Sequence, residues 1–514
     1  MKPPAASRGT SAVRPPRDEG PFHWEELARV TGSPTLEGNQ IRLQFEGSTT
    51  FEAWIEAIDR AQKFVYFENY VVRDDRVGRA FRDALMNKAR QGVPVRVIFD
   101  WMGCWATPRS YWKPLRDAGA DVRAFNPPSL ALGDPLGVLQ RDHRKLVVVD
   151  GDVAFVGGFC VGDEWAGSRS RPPWRDTGVE ILGPAARAAA STFERLWGEM
   201  GEPSTFAAAM DEPATAGEVP VWIIEGEPGR ARVYRTLHLT AALARKRIWI
   251  TDAYFVAPRP VSEALAAAAQ QGVDVRILVP AHNNWPWVRS ISRGGYRFLL
   301  ENGVRIFEWQ GPMMHAKTTV CDGVWCRVGS SNLNNASLIG NWELDVGVLD
   351  RGLAAQLEGL FLADLASSRE IVLPRTRVAA SSTRRPEVAP LPQVSLDPEG
   401  PLHERLERIR SSKGRMGLAG LVRAGSAFGG ALAGNRTLGR EDRTVLGTVA
   451  VAFLVAGTLA VFLPTLVGWG FAAVALWFGS VAGIRALSQA RRARSEERQD
   501  STADDRDNKS EPST

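Results

Sequence analysis

The sequence predicts an α/β protein of two similar domains packed about a pseudo-twofold axis, followed by a C-terminal helical hairpin long enough to span a membrane. Three observations predict it. The octapeptides HRKLVVVD (His143 to Asp150) and HAKTTVCD (His315 to Asp322) repeat one pattern of His, Lys and Asp at distant places in the chain. Before each copy, helix-like and strand-like stretches alternate in the same order, which argues layered α/β units. Near the C-terminus, 445–463 and 466–484 carry no charged side chain, and each is about the ~20 residues a helix needs to cross a bilayer core.

The elements follow in order. Residues 1–20 form a Pro- and Arg-rich arm without the apolar core of a signal peptide, expected to be disordered. The first domain is expected over 21–200. In it KFVYFENYVV reads as a strand after an apolar-periodic helix, ARQGVPVRVIFDWMGCW as a helix end, a glycine stop and a second strand, and AGADVRAF as a third. After a connector at 201–219, the second domain (220–374) repeats the series as KRIWITDAYFV, AAQQGVDVRILVPAHNNW and NGVRIFEW. Trp105 and Trp285 fall at the same spacing after the matching glycines Gly92 and Gly272. A Pro- and Ser-rich linker at 375–400 leads to a basic stretch at 401–443, which either holds anionic headgroups or is a solvated linker.

The hairpin is expected over 444–487 and a polar tail over 488–514. Arg436, Arg440 and Arg443 precede the hairpin, and Arg485, Arg491, Arg492 and Arg494 follow it. Pro464 and Thr465 between the two runs carry no charge, so the positive-inside rule places both ends in the cytoplasm of a multi-pass inner-membrane protein. Cys104, Cys160, Cys321 and Cys326 have neither a secreted disulfide framework nor zinc-ligand spacing. With 44% apolar and 24% charged residues the chain is globular in balance, and a net charge of +5 favours an anionic partner.

Side chains alternate across a strand, so His143 and Lys145 share a face, as do His315 and Lys317. A single copy reads as a buried strand with two polar residues at its mouth, closed by an Asp150-Gly151 or Asp322-Gly323 turn. Two copies indicate a shared task, because the agreement continues to FVGG and RVGS, equally far beyond each histidine. These residues resemble the phospholipase D superfamily, whose HKD motif occurs twice per active site. Within it, DHRKLVVVDGDVAFVGG, GDEW, PWRDT and DAYFVAP are similar to bacterial cardiolipin synthases, and the resemblance covers most of Phe51 to Leu349.

A phosphodiester anion repels nucleophiles, so its cleavage needs cations on its oxygens, a nucleophile, and a proton donor for the leaving alkoxide. Two His and two Lys supply that set without a metal or cofactor. The resemblance implies His143 as nucleophile, forming a phosphohistidine, and His315 as acid and base. It implies that Glu343, downstream of His315 in NWELDV, pairs with the motif histidine and that Asp176 is its counterpart for His143. It further implies that Ser330 and Asn332 contact the phosphate, while Asp150 and Asp322 bond turn amides. The implied reaction transfers a phosphatidyl group between two phosphatidylglycerol molecules and releases glycerol, with hydrolysis to phosphatidic acid as the alternative and a nuclease less favoured. The expected partners are anionic phospholipid and the bilayer, not nucleic acid. Gly158 and Cys160 depart from the pattern where the second half has Ser330 and Asn332, and Gly178 departs from a His common after WRDT. Trp101, Trp105, Trp112, Trp285 and Trp287 follow strands, where family active sites open.

Overall fold

A computed structural model describes residues 22–127, 140–168, 171–201 and 214–373. The expected arm, linker, basic stretch, hairpin and tail lie outside the described residues. Among the described residues no helix is long and apolar enough to cross a membrane.

The first half contributes strands β1 (Leu36–Gln44), β2 (Val65–Asn69), β3 (Val95–Asp100), β4 (Asp121–Phe125), β5 (Lys145–Val149), β6 (Val153–Gly157) and β7 (Gly178–Leu182). The second contributes β8 (Val219–Gly226), β9 (Arg247–Thr251), β10 (Asp274–Pro280), β11 (Arg305–Trp309), β12 (Thr318–Cys321), β13 (Trp325–Gly329), β14 (Glu343–Leu349) and β15 (Ser368–Ile371). From the middle outward, one half runs β1-β7-β6-β5-β2-β3-β4 and the other β8-β14-β13-β12-β9-β10-β11, with β15 at the edge. Equivalent strands occupy equivalent places, as a pseudo-twofold relation requires. β1 joins the series: Leu36 and Asn39 pair with β8, and Gln40 to Gln44 pair with β7.

Local chemistry accounts for these elements. Gly92 and Gly272 end their helices with φ of +82° and +92°, a left-handed cap that favours glycine. β5 is buried throughout because both its faces are covered. Leu146 and Val148 join a central core with Phe193, Trp197, Val346 and Leu357, drawn from both halves, while Val147 and Val149 face a second core around Trp54 and Phe81. The central core therefore ties the halves together and fixes how their motif strands meet.

The third motif residue lies at the far end of each strand from the histidine. Asp150 and Gly151, like Asp322 and Gly323, have positive φ, as a type I′ turn demands. The Asp150 carboxylate accepts the backbone N–H groups of Gln62, Lys63 and Phe64 at 2.9, 2.7 and 3.0 Å. Asp322 accepts those of Arg245, Lys246 and Arg247, each at 2.8 Å. Each aspartate thus pins the chain entering the neighbouring strand. Asp150→Ala and Asp322→Ala are expected to destabilise the fold by about 2–4 kcal/mol each, since three donors lose a charged acceptor. Thermal unfolding reads this as a lowered Tm.

Two placements differ from expectation. Residues 21–200 are expected as the first domain, but the helix Trp24–Thr31 packs on β8 and on the helix Arg232–Leu243 of the second. Phe22 stacks on Trp325 at 5.9 Å, and Leu27 is fully buried in the same core. Burying such side chains is worth about 2 kcal/mol each, enough to carry this segment across the sequence boundary. Trp112 does not stand at an opening: it is buried and stacked on Phe99 with ring centroids 4.0 Å apart.

Candidate active site

Both motif histidines sit just ahead of a buried strand, and each is stitched to the opposite half. The His143 N–H donates to the carbonyl of Trp342 at 2.9 Å, and that of His315 donates to the carbonyl of Arg175 at 2.7 Å. The residue after each of these carbonyls is an acid. Nδ1 of His143 lies 2.9 Å from Glu343 Oε2, and Nδ1 of His315 lies 2.6 Å from Asp176 Oδ2. The pairing expected within each half is therefore crossed: Asp176 serves His315, not His143, and Glu343 serves His143. The reason is the twofold packing, which brings the start of β14 to the mouth of β5 and the residues before β7 to the mouth of β12. With both Nδ1 atoms engaged, Nε2 of each ring is left to meet a substrate.

Lys145 and Lys317 are fully buried, and each ammonium donates back to the carbonyl of its own motif histidine. Lys145 Nζ lies 5.0 Å from the Tyr70 ring, and Lys317 Nζ 5.8 Å from that of Tyr254. Tyr70 also meets the His143 ring edge-on at 4.7 Å, whereas Trp165, Trp174 and Tyr254 surround His315 at 5.4, 5.8 and 5.9 Å. Ser330 is occupied otherwise than expected. Its hydroxyl donates to Glu343 Oε2 and accepts the Leu344 N–H at 2.9 Å, so it holds the acid, not a phosphate. Asn332 is buried with no protein partner for its Oδ1. Asp150 and Asp322 stand outside this group, at the turns.

Residues 54–197 and 239–365 match the family described as cardiolipin synthase, PLD-like domain. The chain belongs to this family. It is 36% identical over 362 residues to cardiolipin synthase A of Pseudomonas fluorescens, covering 68% of this chain and 74% of that one. Cardiolipin synthase A of Pseudomonas aeruginosa is 34% identical over 353 residues, 67% of this chain and 70% of the relative. A solved structure of phosphatidylserine synthase from Haemophilus influenzae superposes with a TM-score of 0.54 over 68% of this chain and 91% of that one, at 14% identity, a likeness of fold.

The two acids of this cardiolipin synthase-family site differ in charge. Burial acts to raise the Asp176 carboxyl, but His315 and Lys317 outweigh it and hold it below the usual carboxylate range. Its oxygens also accept Trp165 Nε1 at 2.9 Å and the Thr177 N–H at 2.8 Å. Burial pushes Glu343 up to about 8, against the opposing pull of Lys145. At neutral pH Asp176 is thus a carboxylate and Glu343 a neutral acid. Burial and then the lysines lower both imidazoles, His315 to about 4 and His143 well below its ordinary value. An anion bound beside the two lysines would oppose their contribution and raise both imidazoles.

Ser330 sets the tautomer on the other side. With its proton directed at Glu343 Oε2, that oxygen acts as acceptor and draws Nδ1–H from His143, leaving the Nε2 lone pair free. Burial, reinforced by Lys145, brings Lys317 down to about 8. Below that pH the ammonium is charged; above it the cation is lost. In pH–rate measurements, with His315 as the acid, kcat/KM should fall by about tenfold per pH unit above about pH 4 and more steeply above about pH 8, while kcat holds to higher pH because bound phosphate stabilises both cations.

One departure from the family pattern, Gly158, has a steric cause. A Cβ on Gly158 would lie 2.0 Å from Asp176 Oδ1, so the acid occupies the place that Ser330 fills in the other half. Gly157 and Gly178 face each other across β6 and β7: a Cβ on Gly157 would lie 2.4 Å from the Gly178 Cα, whereas one on Gly178 would meet the Val156 carbonyl at 3.1 Å, a tight but milder contact. The wall residues Tyr70, Tyr254, Trp165 and Trp174 were missed from sequence, as was an ionic group behind His143. Arg144, fully buried on the opposite face of the strand, meets Glu225 at 2.7 Å and Glu68 at 3.8 Å. A charged residue between His143 and an apolar run was the available signal; Ala316 stands at that place in the second motif.

Proposed function

We propose that this chain is a cardiolipin synthase that transfers a phosphatidyl group from one phosphatidylglycerol to the free hydroxyl of a second, releasing glycerol, through a phosphohistidine on His143. The carrying observation is the pair of imidazoles, each held at Nδ1 by an acid from the opposite half. Lys145, Lys317 and the Asn332 amide receive the non-bridging phosphate oxygens. His143 Nε2 attacks phosphorus, the bond to glycerol breaks, and His315 Nε2–H protonates the departing oxygen while Asp176 balances its charge. Glycerol leaves. Neutral His315 then takes the proton of the second lipid's hydroxyl, that oxygen displaces His143 from phosphorus, and both imidazoles return to their starting state. Neither half-reaction needs a cofactor.

The relatives' names support this substrate class, and the uncharged runs 445–463 and 466–484 support a bilayer anchor with the catalytic body cytoplasmic. The full chain, purified into phosphatidylglycerol vesicles, should convert two lipids into one cardiolipin and one glycerol. Phosphatidic acid without cardiolipin, or no product, overturns the reading.

A further inference from the structure

Among the described residues, the exposed large apolar side chains are Met102, Trp105, Trp285, Phe298, Ile339, Val372 and Leu373, and four of these stand near the site in sequence or structure. Met102 and Trp105 stand on a turn packed on Tyr70, Trp285 on a segment bonded to Tyr254, and Ile339 on the turn that precedes Glu343. Trp105 is 74% exposed and Trp285 55%. Isolated exposed apolar residues are ordinary, but a cluster around a catalytic opening is not.

The segments are rigidly keyed to the site. After β3, the turn carrying Met102 and Trp105 is held on Tyr70: Gly103 packs so close that a Cβ would lie 1.9 Å from the Tyr70 carbonyl. Cys104 Sγ also accepts the Val72 N–H at 3.2 Å. Tyr70 in turn lies against His143. In the second half, Asn284 Oδ1 accepts the Tyr254 hydroxyl at 2.7 Å, Asn283 donates to the Ala253 carbonyl at 3.0 Å, and Asn283 Oδ1 accepts the Trp285 N–H at 2.8 Å. Tyr254 lies against His315. The pseudo-twofold therefore sets one exposed tryptophan beyond each histidine, on a segment held against the tyrosine that covers that ring. Ile339 stands between Asn332 and Glu343 on a short π-helical turn, Ala336–Gly340.

We propose that Met102, Trp105, Trp285 and Ile339 form a rim that seats the site mouth on the lipid bilayer. The occupant follows from chemistry. Tryptophan favours the headgroup level of a membrane, the exposed Arg109 shortly after Trp105 suits an anionic surface, and each tryptophan stands on a segment held to the tyrosine beside a motif histidine. An anchor elsewhere in the chain keeps the enzyme near the membrane without aiming its mouth; the rim aims it. This rests on the phospholipid reading above, which it extends from substrate to approach.

Two measurements on the full chain in phosphatidylglycerol vesicles test it. In the first, Trp105→Ala/Trp285→Ala is expected to lower turnover of bilayer lipid by about tenfold or more, while turnover of a water-soluble short-chain phosphatidylglycerol stays within about twofold, since the chemical groups are untouched. Equal rates on bilayer lipid, or an equal loss on both substrates, overturn the rim. In the second, Trp105→Cys carries a polarity-sensitive dye; all four native cysteines are buried, so labelling is selective. Its emission is expected to shift blue on reconstitution into vesicles relative to detergent-free aqueous protein in amphipathic polymer, and an unchanged spectrum refutes membrane contact. The dye reports contact without turnover, so failure of the lipid chemistry and failure of the rim are separately visible.

Discussion

His143→Ala and His315→Ala are each expected to lower cardiolipin formation by roughly 10^4-fold or more, because each removes a group that the proposed reaction places on the reacting atoms. The two losses differ in kind. Without His143 no phosphoenzyme forms on any substrate. Without His315 the attack still occurs when the leaving group needs no proton. A phosphatidyl diester of 4-nitrophenol should therefore give His315→Ala a burst of nitrophenolate and a stable phosphohistidine, because no base remains to activate the acceptor. His143→Ala should give neither. A burst from His143→Ala instead would exchange the assigned roles. Trapping the labelled phosphoenzyme and locating it by mass spectrometry reads the result directly.

The second large effect is an inequality between the two acids. Asp176→Asn is expected to cost about 10^3- to 10^4-fold in kcat, as an amide beside His315 cannot balance the imidazolium that protonates glycerol. Glu343→Gln should cost only about tenfold, because Glu343 is already neutral at pH 7 and glutamine keeps a carbonyl to accept the His143 Nδ1–H. Both changes are nearly isosteric, so a difference in kcat at unchanged Tm reports charge and not folding. Equal losses would mean that Glu343 ionises in the working enzyme. The split also carries into the activated diester: Asp176→Asn should recover most of its burst there, as the proton it helps to deliver is no longer needed.

Much of this was legible along the chain. The doubled motif, the order of strands before it and the glycine stops at Gly92 and Gly272 all depend on local rules, and the structure repeats them at the expected places. The run Leu146 to Val149 announced a strand covered on both faces, although not that one of its covers is assembled from both halves. The Asp150 and Asp322 turns were likewise visible, since Asp-Gly with two positive φ values is a local demand. The sequence pattern failed where a partner is chosen in space. Counting from His315 leads to Glu343, yet Glu343 bonds His143; nothing in the spacing separates the two outcomes. Ser330 looked like a phosphate ligand because its position is known only relative to its own motif, while its occupation with Glu343 depends on how β14 passes beside it. The same holds for the helix Trp24–Thr31, whose apolar face has no address in the sequence.

By itself, then, the amino-acid order determined what each half is: its strands, its turns, its histidine and lysine on one face, and the apolar runs beyond. Only the tertiary structure decided which acid stands behind which imidazole. The physical reason is range. Backbone periodicity and turn geometry act over a few residues and leave a mark in the order of side chains, whereas burial and charge act across whatever surfaces the twofold packing brings within a few ångströms.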